Sequence, residues 1–264
     1  MTEVIRVPRV RAQLVTRDGV RISAVHDPCQ GDSTGTVTVV AHGFTGSWRR
    51  EAVRAIVHEL TQQMGVVSFD FRGHGDSAGE SSLGDLEIYD VDAAVAWART
   101  LGYSRVVTIG FSMGGAVVLR HAALIGGVDA VVSVSSAAFW FYRGTAPMRF
   151  LHKVVESPSG RKLAALTRNT RISSRVWDPD DLPLSPVDAV AQLNDVDLLI
   201  VHGDLDHYFP LEHAHALHEA ALVSSMSLDG VRRELWVEAG FGHAEAAADR
   251  ELIDRIGRWL VDSK

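Results

Sequence analysis

A serine lies at the centre of a glycine-flanked motif. Residues 110–114 read GFSMG and place Ser112 between Gly110 and Gly114. An apolar, β-branched segment precedes the motif and a helix-forming apolar segment follows it. This context predicts a sharp turn from a strand into a helix, with the serine side chain exposed at its tip. The glycines remove side chains that would collide with the nearby backbone. Ser112 is therefore a candidate nucleophile.

A serine hydroxyl needs a base that takes its proton, and the base needs an acid that orients it. His243 follows a glycine-containing turn after the predicted strand 232–238, and it is the candidate base. Asp204 and Asp206 both follow the apolar segment 196–202. The order serine, acid, histidine is the one expected after such a strand–turn–helix motif. We take Asp206 as the acid and keep Asp204 as the alternative.

The same chemistry needs backbone N–H groups that stabilise a developing oxyanion. One donor is expected from Met113, directly after the nucleophile, and the second from a loop that follows an earlier strand. That loop has the sequence HGFTG at residues 42–46, which makes the Phe44 N–H the predicted second donor.

Short apolar runs alternate with amphipathic stretches along the chain, a pattern that predicts an α/β fold. Alternation of this kind favours a mostly parallel sheet with helices on both faces. Strands are predicted at residues 20–25, 36–41, 66–70, 105–111, 128–135, 196–202 and 232–238, and helices at 49–64, 85–101, 113–125, 211–222 and the C-terminal stretch. The first helix is expected to end at Gly65. Candidate site residues all follow predicted strands, where open α/β sheets place their sites.

Residues 137–190 interrupt the alternation and contain five of the eight prolines. We interpret 1–264 as a single domain, and 137–190 as a lid or cap insertion within it. Aromatic side chains at the start of this insertion, and one beyond the loop 42–46, are candidates for the wall of a substrate pocket. They are Phe139, Trp140, Phe141, Tyr142 and Trp48.

Together these residues resemble the α/β-hydrolase superfamily. The resemblance rests on HGF at 42–44, DFRGHGDS at 70–77, the motif around Ser112, the loop 203–206, and GH at 242–243. It implies an eight-stranded, mostly parallel sheet, the catalytic set Ser112, Asp206 and His243, and no metal or organic cofactor. The runs at 42–46 and 69–77 are similar to those of small bacterial esterases of the feruloyl or cinnamoyl esterase kind.

The predicted function is the cleavage of carboxylic esters of small molecules through an acyl-enzyme on Ser112. The same three side chains would also serve a thioesterase, a C–C bond hydrolase or an acyltransferase. A binding protein of the same fold without turnover is the alternative from another class, although an intact Ser, Asp and His set argues against it.

Composition narrows the partners. The 264 residues carry a net charge of −7, so nucleic acid is not expected as a partner. The chain has a single cysteine, Cys29, which excludes an intrachain disulfide. No apolar run is long enough to span a membrane and the first residues do not resemble a signal peptide, so a cytoplasmic location is expected. The sequence leaves both a monomer and a homodimer open.

Basic residues concentrate in the predicted insertion. Residues 139–177 contain eight Lys and Arg against one acid, Glu156. A solvated helical surface is the favoured interpretation. A preference for anionic substrates, with Arg143 and Arg149 as contacts, is the alternative. The histidines at 213, 215 and 218 do not share one helical face, so no metal site is predicted there.

Overall fold

A computed structural model describes residues 9–31, 35–174, 182–226 and 228–263. Eight strands form one sheet: β1 Val10–Val15, β2 Arg21–Asp27, β3 Thr36–Ala41, β4 Gly65–Phe69, β5 Arg105–Phe111, β6 Ala130–Val134, β7 Asp197–Gly203 and β8 Arg233–Glu238. The helices of the described residues are α1 Glu51–Leu60, α2 Ile88–Thr100, α3 Met113–Leu124, α4 Ala146–Glu156, α5 Pro158–Arg168, α6 Pro186–Val190, α7 Leu211–Ser225, α8 Ala244–Ala247 and α9 Arg250–Asp262.

The strand order across the sheet is β1-β2-β4-β3-β5-β6-β7-β8. Strand β2 pairs antiparallel with both β1 and β4, and every pair from β4 to β8 is parallel. The carboxyl ends of β3, β5, β6, β7 and β8 therefore meet at one edge of the sheet. The loops that carry the candidate site residues all leave from this edge.

Alternate strand residues fill two hydrophobic layers. Val37 and Val39 of β3 join the layer formed with α2, α3, α6 and α7, while Val40 joins the layer formed with α1 and α9. Because successive side chains of a strand point to opposite faces, a buried parallel sheet requires apolar residues on both. The near-continuous apolar strands of the sequence follow from this requirement.

The fold class predicted from the sequence is confirmed, and two local differences have physical reasons. Strand β1 was not identified by its pattern, because it is an antiparallel edge strand with alternating exposed residues. The first helix ends at Leu60 rather than at Gly65, which is instead the first residue of β4. A side chain at Gly65 would collide with the ring of Tyr103, so the glycine serves strand packing and not a helix end.

Helices α4, α5 and α6 lie between β6 and β7, within the range 137–190 that the sequence assigns to an insertion. Helices α4 and α5 pack on each other, whereas α6 packs against α3 and α7 of the main body. Residues 175–181, including Arg175 of the basic stretch, lie outside the described residues. Within the described ranges, no helix has the length and apolar character needed to cross a membrane.

Candidate active site

The turn between β5 and α3 holds Ser112 in a strained backbone conformation. Its φ is 52° and its ψ is −116°, outside the backbone region that residues other than glycine ordinarily adopt. A Cβ at Gly110 would collide with the carbonyl of Gly114, and one at Gly114 with the carbonyl of Ala41. The two glycines thus permit the close approach that presents the Ser112 side chain at the sheet edge.

His243 lies between Ser112 and Asp206. Its Nε2 is 2.9 Å from Ser112 Oγ, and its Nδ1 is 2.7 Å from Asp206 Oδ2. Both distances are within hydrogen-bonding range. The structure therefore brings together the three side chains that the sequence selected from three separate loops.

The carboxylate of Asp206 is fully buried and held on both oxygens. Its Oδ1 accepts hydrogen bonds from the backbone N–H groups of Tyr208, at 2.8 Å, and Phe209, at 3.0 Å. Burial alone would raise the pKa of Asp206, but the hydrogen bonds from His243 and the two backbone N–H groups outweigh it and hold the pKa below its usual value. Asp206 is therefore poised to stay charged beside the imidazole.

Asp204, the alternative acid, points elsewhere. Its Oδ1 accepts a hydrogen bond of 2.7 Å from the backbone N–H of Gly240, and its side chain is exposed to solvent. Geometry separates the two aspartates where their sequence spacing could not.

The loop after β3 presents three successive backbone N–H groups. That of Gly43 donates to Glu245 Oε1, and that of Thr45 donates to His74 Nε2 at 3.2 Å. Between them, the N–H of Phe44 has no hydrogen-bond acceptor in the described part of the chain, and neither has the N–H of Met113. A Cβ at Gly43 would lie 3.3 Å from Ser112 Cβ, so the loop lies directly against the serine.

An open cavity with a void of about 900 Å³ reaches Ser112. Four of the five predicted pocket aromatics line it, and most of its other walls are apolar. The lining residues include Phe44, Leu83, Ser112, Met113, Phe139, Trp140, Phe141, Tyr142, Met148, Leu151, His152, Val155, Glu156 and Phe209. A concave site with mostly apolar walls and a few polar groups is typical of small-molecule sites.

The chain matches known proteins across most of its length. A family model described as the alpha/beta hydrolase fold matches residues 37–155. An esterase from Pyrococcus furiosus, Pf2001, superimposes with a TM-score of 0.72 at 22% identity, covering 97% of this chain and 93% of that one.

The chain has the α/β-hydrolase fold. Another solved structure, Est1E from Butyrivibrio proteoclasticus with bound ferulic acid, gives a TM-score of 0.62 at 18% identity and covers 95% of this chain and 97% of its own. An uncharacterized protein of Escherichia coli O157:H7, YfhR, is 25% identical over 219 residues, or 79% of this chain and 67% of its own. The resemblance drawn from the sequence motifs is confirmed, and solved esterases are among the structural relatives of this hydrolase fold.

Trp48 does not line this cavity. Its side chain is buried, its backbone N–H donates to Asp70 Oδ1 at 2.9 Å, and the Arg49 guanidinium lies 4.4 Å from its ring centroid. The ring Nε1 lies 3.5 Å from Ser23 Oγ of β2, and the ring does not line the cavity beside Ser112. Its position in sequence, just beyond the loop after β3, could not show whether the ring would face the cavity or the sheet.

His152 brings a polar group to the otherwise apolar wall. Its Nδ1 lies 3.1 Å from Glu156 Oε1, and its ring stacks on Phe141 with centroids 6.4 Å apart. Its Nε2 makes no hydrogen bond among the described residues. Sequence reasoning missed His152, because only the packing of α4 shows which of its faces meets the cavity.

The two arginines suggested as contacts for anionic substrates are engaged elsewhere. Arg143 forms an ion pair with Glu156, and Arg149 donates to the backbone carbonyls of Arg143 and Gly144. Neither lines the cavity. The geometry therefore favours the solvated-surface interpretation of this basic segment.

The three histidines of α7 do not lie together. His213 is buried, and its Nδ1 accepts a hydrogen bond of 3.0 Å from the backbone N–H of Ala138, while His215 is exposed. His218 lies 3.3 Å from the carbonyl of Arg233 through its Nε2. The described residues contain no group of three side chains suited to a metal ion.

Two buried histidines support the loop after β3. His42 donates from Nδ1 to the carbonyl of Gly43 at 2.7 Å and accepts at Nε2 from the N–H of Phe71 at 3.1 Å. His74 lies 3.0 Å from the carbonyl of Arg72 through Nδ1, and its Nε2 receives the Thr45 N–H. Burial lowers the pKa of each imidazole to about 4, so both are neutral near pH 7 and can accept these bonds.

Acidification should destabilise the protein because of this pair. An unfolded histidine titrates near 6.5 and each buried one near 4, so between these values the unfolded state binds more protons. The contribution of these two histidines to the free energy of unfolding should therefore be constant above about pH 6.5 and fall as the pH decreases. Burial raises the pKa of Asp90 to about 7, which acts in the opposite direction, so the histidine contribution is measured as the difference between wild type and a histidine variant. We expect a loss of about 2 kcal/mol for each histidine by about pH 5, less than additive because the rings are neighbours. Urea unfolding at a series of pH values measures it.

Two variants bracket that result. His74→Gln, which keeps an acceptor and removes the titration, should flatten the pH dependence, whereas His215→Gln on the exposed face should leave it unchanged. A difference in unfolding free energy between wild type and His74→Gln that does not change between about pH 7 and pH 5 would contradict the expectation.

Proposed function

We propose that this protein is a serine hydrolase that cleaves carboxylic esters of small, largely apolar molecules through an acyl-enzyme on Ser112. The observation that carries the proposal is the position of His243, within hydrogen-bonding distance of both Ser112 Oγ and Asp206 Oδ2. A serine alone would be a weak nucleophile. A serine beside a base that is itself held in place by an acid is an activated nucleophile.

In the first half-reaction, His243 Nε2 takes the proton of Ser112 as Oγ bonds to the ester carbonyl carbon. The carbonyl oxygen becomes an oxyanion and accepts hydrogen bonds from the N–H groups of Phe44 and Met113, each contributing about 3 kcal/mol to the lowering of the barrier. The C–O bond to the alcohol then breaks, and His243 gives its proton to the leaving oxygen. Asp206 keeps Nδ1 of the imidazole protonated and stabilises its charged form.

In the second half-reaction, water replaces the alcohol. His243 takes a proton from the water, its oxygen attacks the acyl carbon, and the bond to Ser112 Oγ breaks as the proton returns to the serine. The apolar cavity, with Phe139 and Phe141 on its wall, suits an apolar acyl or alcohol group. Nothing in this sequence of steps needs a metal or an organic cofactor.

A fluorophosphonate probe tests the proposal, because it reacts with an activated serine and not with an ordinary hydroxyl. We expect stoichiometric labelling of Ser112, located by peptide mass spectrometry, and loss of p-nitrophenyl ester hydrolysis in proportion to labelling. A short-chain p-nitrophenyl ester present in excess should slow the labelling. Modification of another serine, or ester hydrolysis that survives complete labelling of Ser112, would refute the assignment.

Substrate profiling separates the ester from the other acyl reactions that the same side chains would support. Matched ester and thioester pairs with identical acyl groups, and a β-diketone for C–C cleavage, should be compared by kcat/KM. The proposal expects the ester to be preferred within each pair. Product analysis with an added alcohol detects acyl transfer.

A further inference from the structure

Glu245 occupies a place that the proposed mechanism leaves without a role. It follows His243 by two residues, and the residue between them, Ala244, has a φ of 53°. A positive φ is strained for a residue other than glycine. The N–H of Ala244 donates to Ser135 Oγ at 3.0 Å, which fixes the turn. The turn directs the Glu245 side chain back across the sheet edge.

The carboxylate of Glu245 reaches the loop after β3. It accepts the hydrogen bond from the N–H of Gly43, and a Cβ at Gly43 would lie 3.1 Å from its second oxygen. The segment that carries the base is thereby tied to the loop that carries the oxyanion donor Phe44. The two segments are far apart in sequence, so no local structure would hold them in register.

The N–H groups on either side of Phe44 are both engaged. Gly43 donates to Glu245 and Thr45 donates to His74, which restrains the peptide units before and after Phe44. Because peptide units are planar, restraining the neighbours restricts the direction of the Phe44 N–H. An oxyanion donor contributes most when its direction is set before the reaction begins.

We propose that Glu245 is a positioning residue for the oxyanion hole: its carboxylate holds the Gly43 N–H so that the Phe44 N–H is directed at the oxyanion formed on the Ser112 adduct. The inference rests on the proposed function. It assigns Glu245 no contact with substrate; its effect passes through the loop. What matters is a correctly placed acceptor oxygen, and not the negative charge, which by itself would oppose a nearby oxyanion.

Three substitutions at Glu245 separate the effect of side-chain length from the effect of its negative charge. Glu245→Gln keeps the length and an acceptor oxygen without the charge, Glu245→Asp keeps the charge but is one methylene too short, and Glu245→Ala removes both. We expect kcat to fall about 30- to 100-fold in the Ala and Asp variants with KM within about three-fold, and to stay within about five-fold of wild type in the Gln variant. Glu251→Ala, at an exposed acid in the first turn of α9, is the matched control and should change nothing.

The affinity of a trifluoromethyl ketone inhibitor distinguishes positioning from a purely structural role, because a purely structural role would leave this affinity unchanged. Its adduct with a serine carries an oxyanion, so its affinity reports on the oxyanion hole. Its inhibition constant should rise in the Ala and Asp variants by about the same factor as kcat/KM falls, at temperatures where circular dichroism shows that each variant is folded.

The outcomes are decisive in each direction. Ala and Asp variants that lose thermal stability but keep kcat and inhibitor affinity would overturn the positioning role, as would a Gln variant as impaired as the Ala variant. Failure of the proposed function is seen separately, because the wild-type protein would then neither hydrolyse esters nor be labelled at Ser112. If the Ala variant does not fold, the comparison of Gln with Asp still decides.

Discussion

Replacement of Ser112 by alanine should lower kcat/KM for the best p-nitrophenyl ester by at least about 10⁴-fold. The alanine variant has no oxygen to form the acyl-enzyme, and only the cavity and the backbone N–H groups remain to assist direct attack by water. The substitution adds no atoms to the crowded turn, and alanine meets the positive φ at Ser112 with no more strain than serine does. The loss should therefore appear in activity and not in folding.

The measurement is steady-state hydrolysis across a panel of acyl chain lengths, with stopped-flow detection of the initial burst. Wild-type protein should release up to one equivalent of p-nitrophenol in a burst when deacylation limits turnover, and the Ser112→Ala variant should show none. Ser225→Ala, on the surface end of α7, serves as the control and should match wild type. Hydrolysis that persists unchanged in the Ser112→Ala variant would end the nucleophile assignment.

The second large effect is expected from a pair of neighbouring aspartates. Asp206→Asn should lower kcat by about 10⁴-fold, because an amide in place of the carboxylate favours the wrong tautomer of His243 and does not stabilise the imidazolium. Asp204→Asn should leave kcat within about three-fold of wild type, since the Asp204 side chain is exposed and, among the described residues, bonds only to the Gly240 N–H. The two substitutions are chemically identical and two residues apart.

Each variant is to be assayed for ester hydrolysis and for its rate of fluorophosphonate labelling at one pH and one temperature. Labelling should slow together with kcat in Asp206→Asn, because both need an oriented imidazole. Equal losses in the two variants would mean that the loop as a whole, rather than the Asp206 carboxylate, supports His243. A larger loss in Asp204→Asn would transfer the role of the acid to that residue.

The sequence predicted the fold class because its strongest signals are local. The apolar strands indicate burial on both faces of a parallel sheet. The glycines around Ser112 indicate a turn with no room for side chains. Strand β1 is not predicted by the sequence pattern, because an exposed edge strand does not need a run of apolar residues. The sequence analysis prefers Asp206 but keeps Asp204 as the alternative, because both follow β7. In the structure only the Asp206 side chain lies beside His243, while Asp204 points to Gly240.

Contacts between segments that are far apart in the chain could not be predicted from the sequence, because they depend on how the loops come together in the fold. Glu245 reads as an ordinary acid at the start of a helix, and its partner Gly43 lies about 200 residues earlier. His74 lies between two glycines in the run 70–77, and its bond to Thr45 depends on a loop from another strand. The sequence groups Trp48 with the pocket aromatics because it follows the loop after β3, whereas its ring is buried and its Nε1 lies beside Ser23 of β2.

The position of β8 has a consequence for how this protein would fail under stress. Among the residues that the structure describes, the strand lies at the edge of the sheet, is only partly buried, and pairs with β7 alone, yet the loop after it carries His243. Edge elements open at lower free energy than central strands do. Detachment of this strand would displace His243, the proposed base, while leaving the central sheet in place. Catalytic output should therefore decline on gentle warming before spectroscopic signals of global melting begin to change, so that turnover is an early indicator of damage.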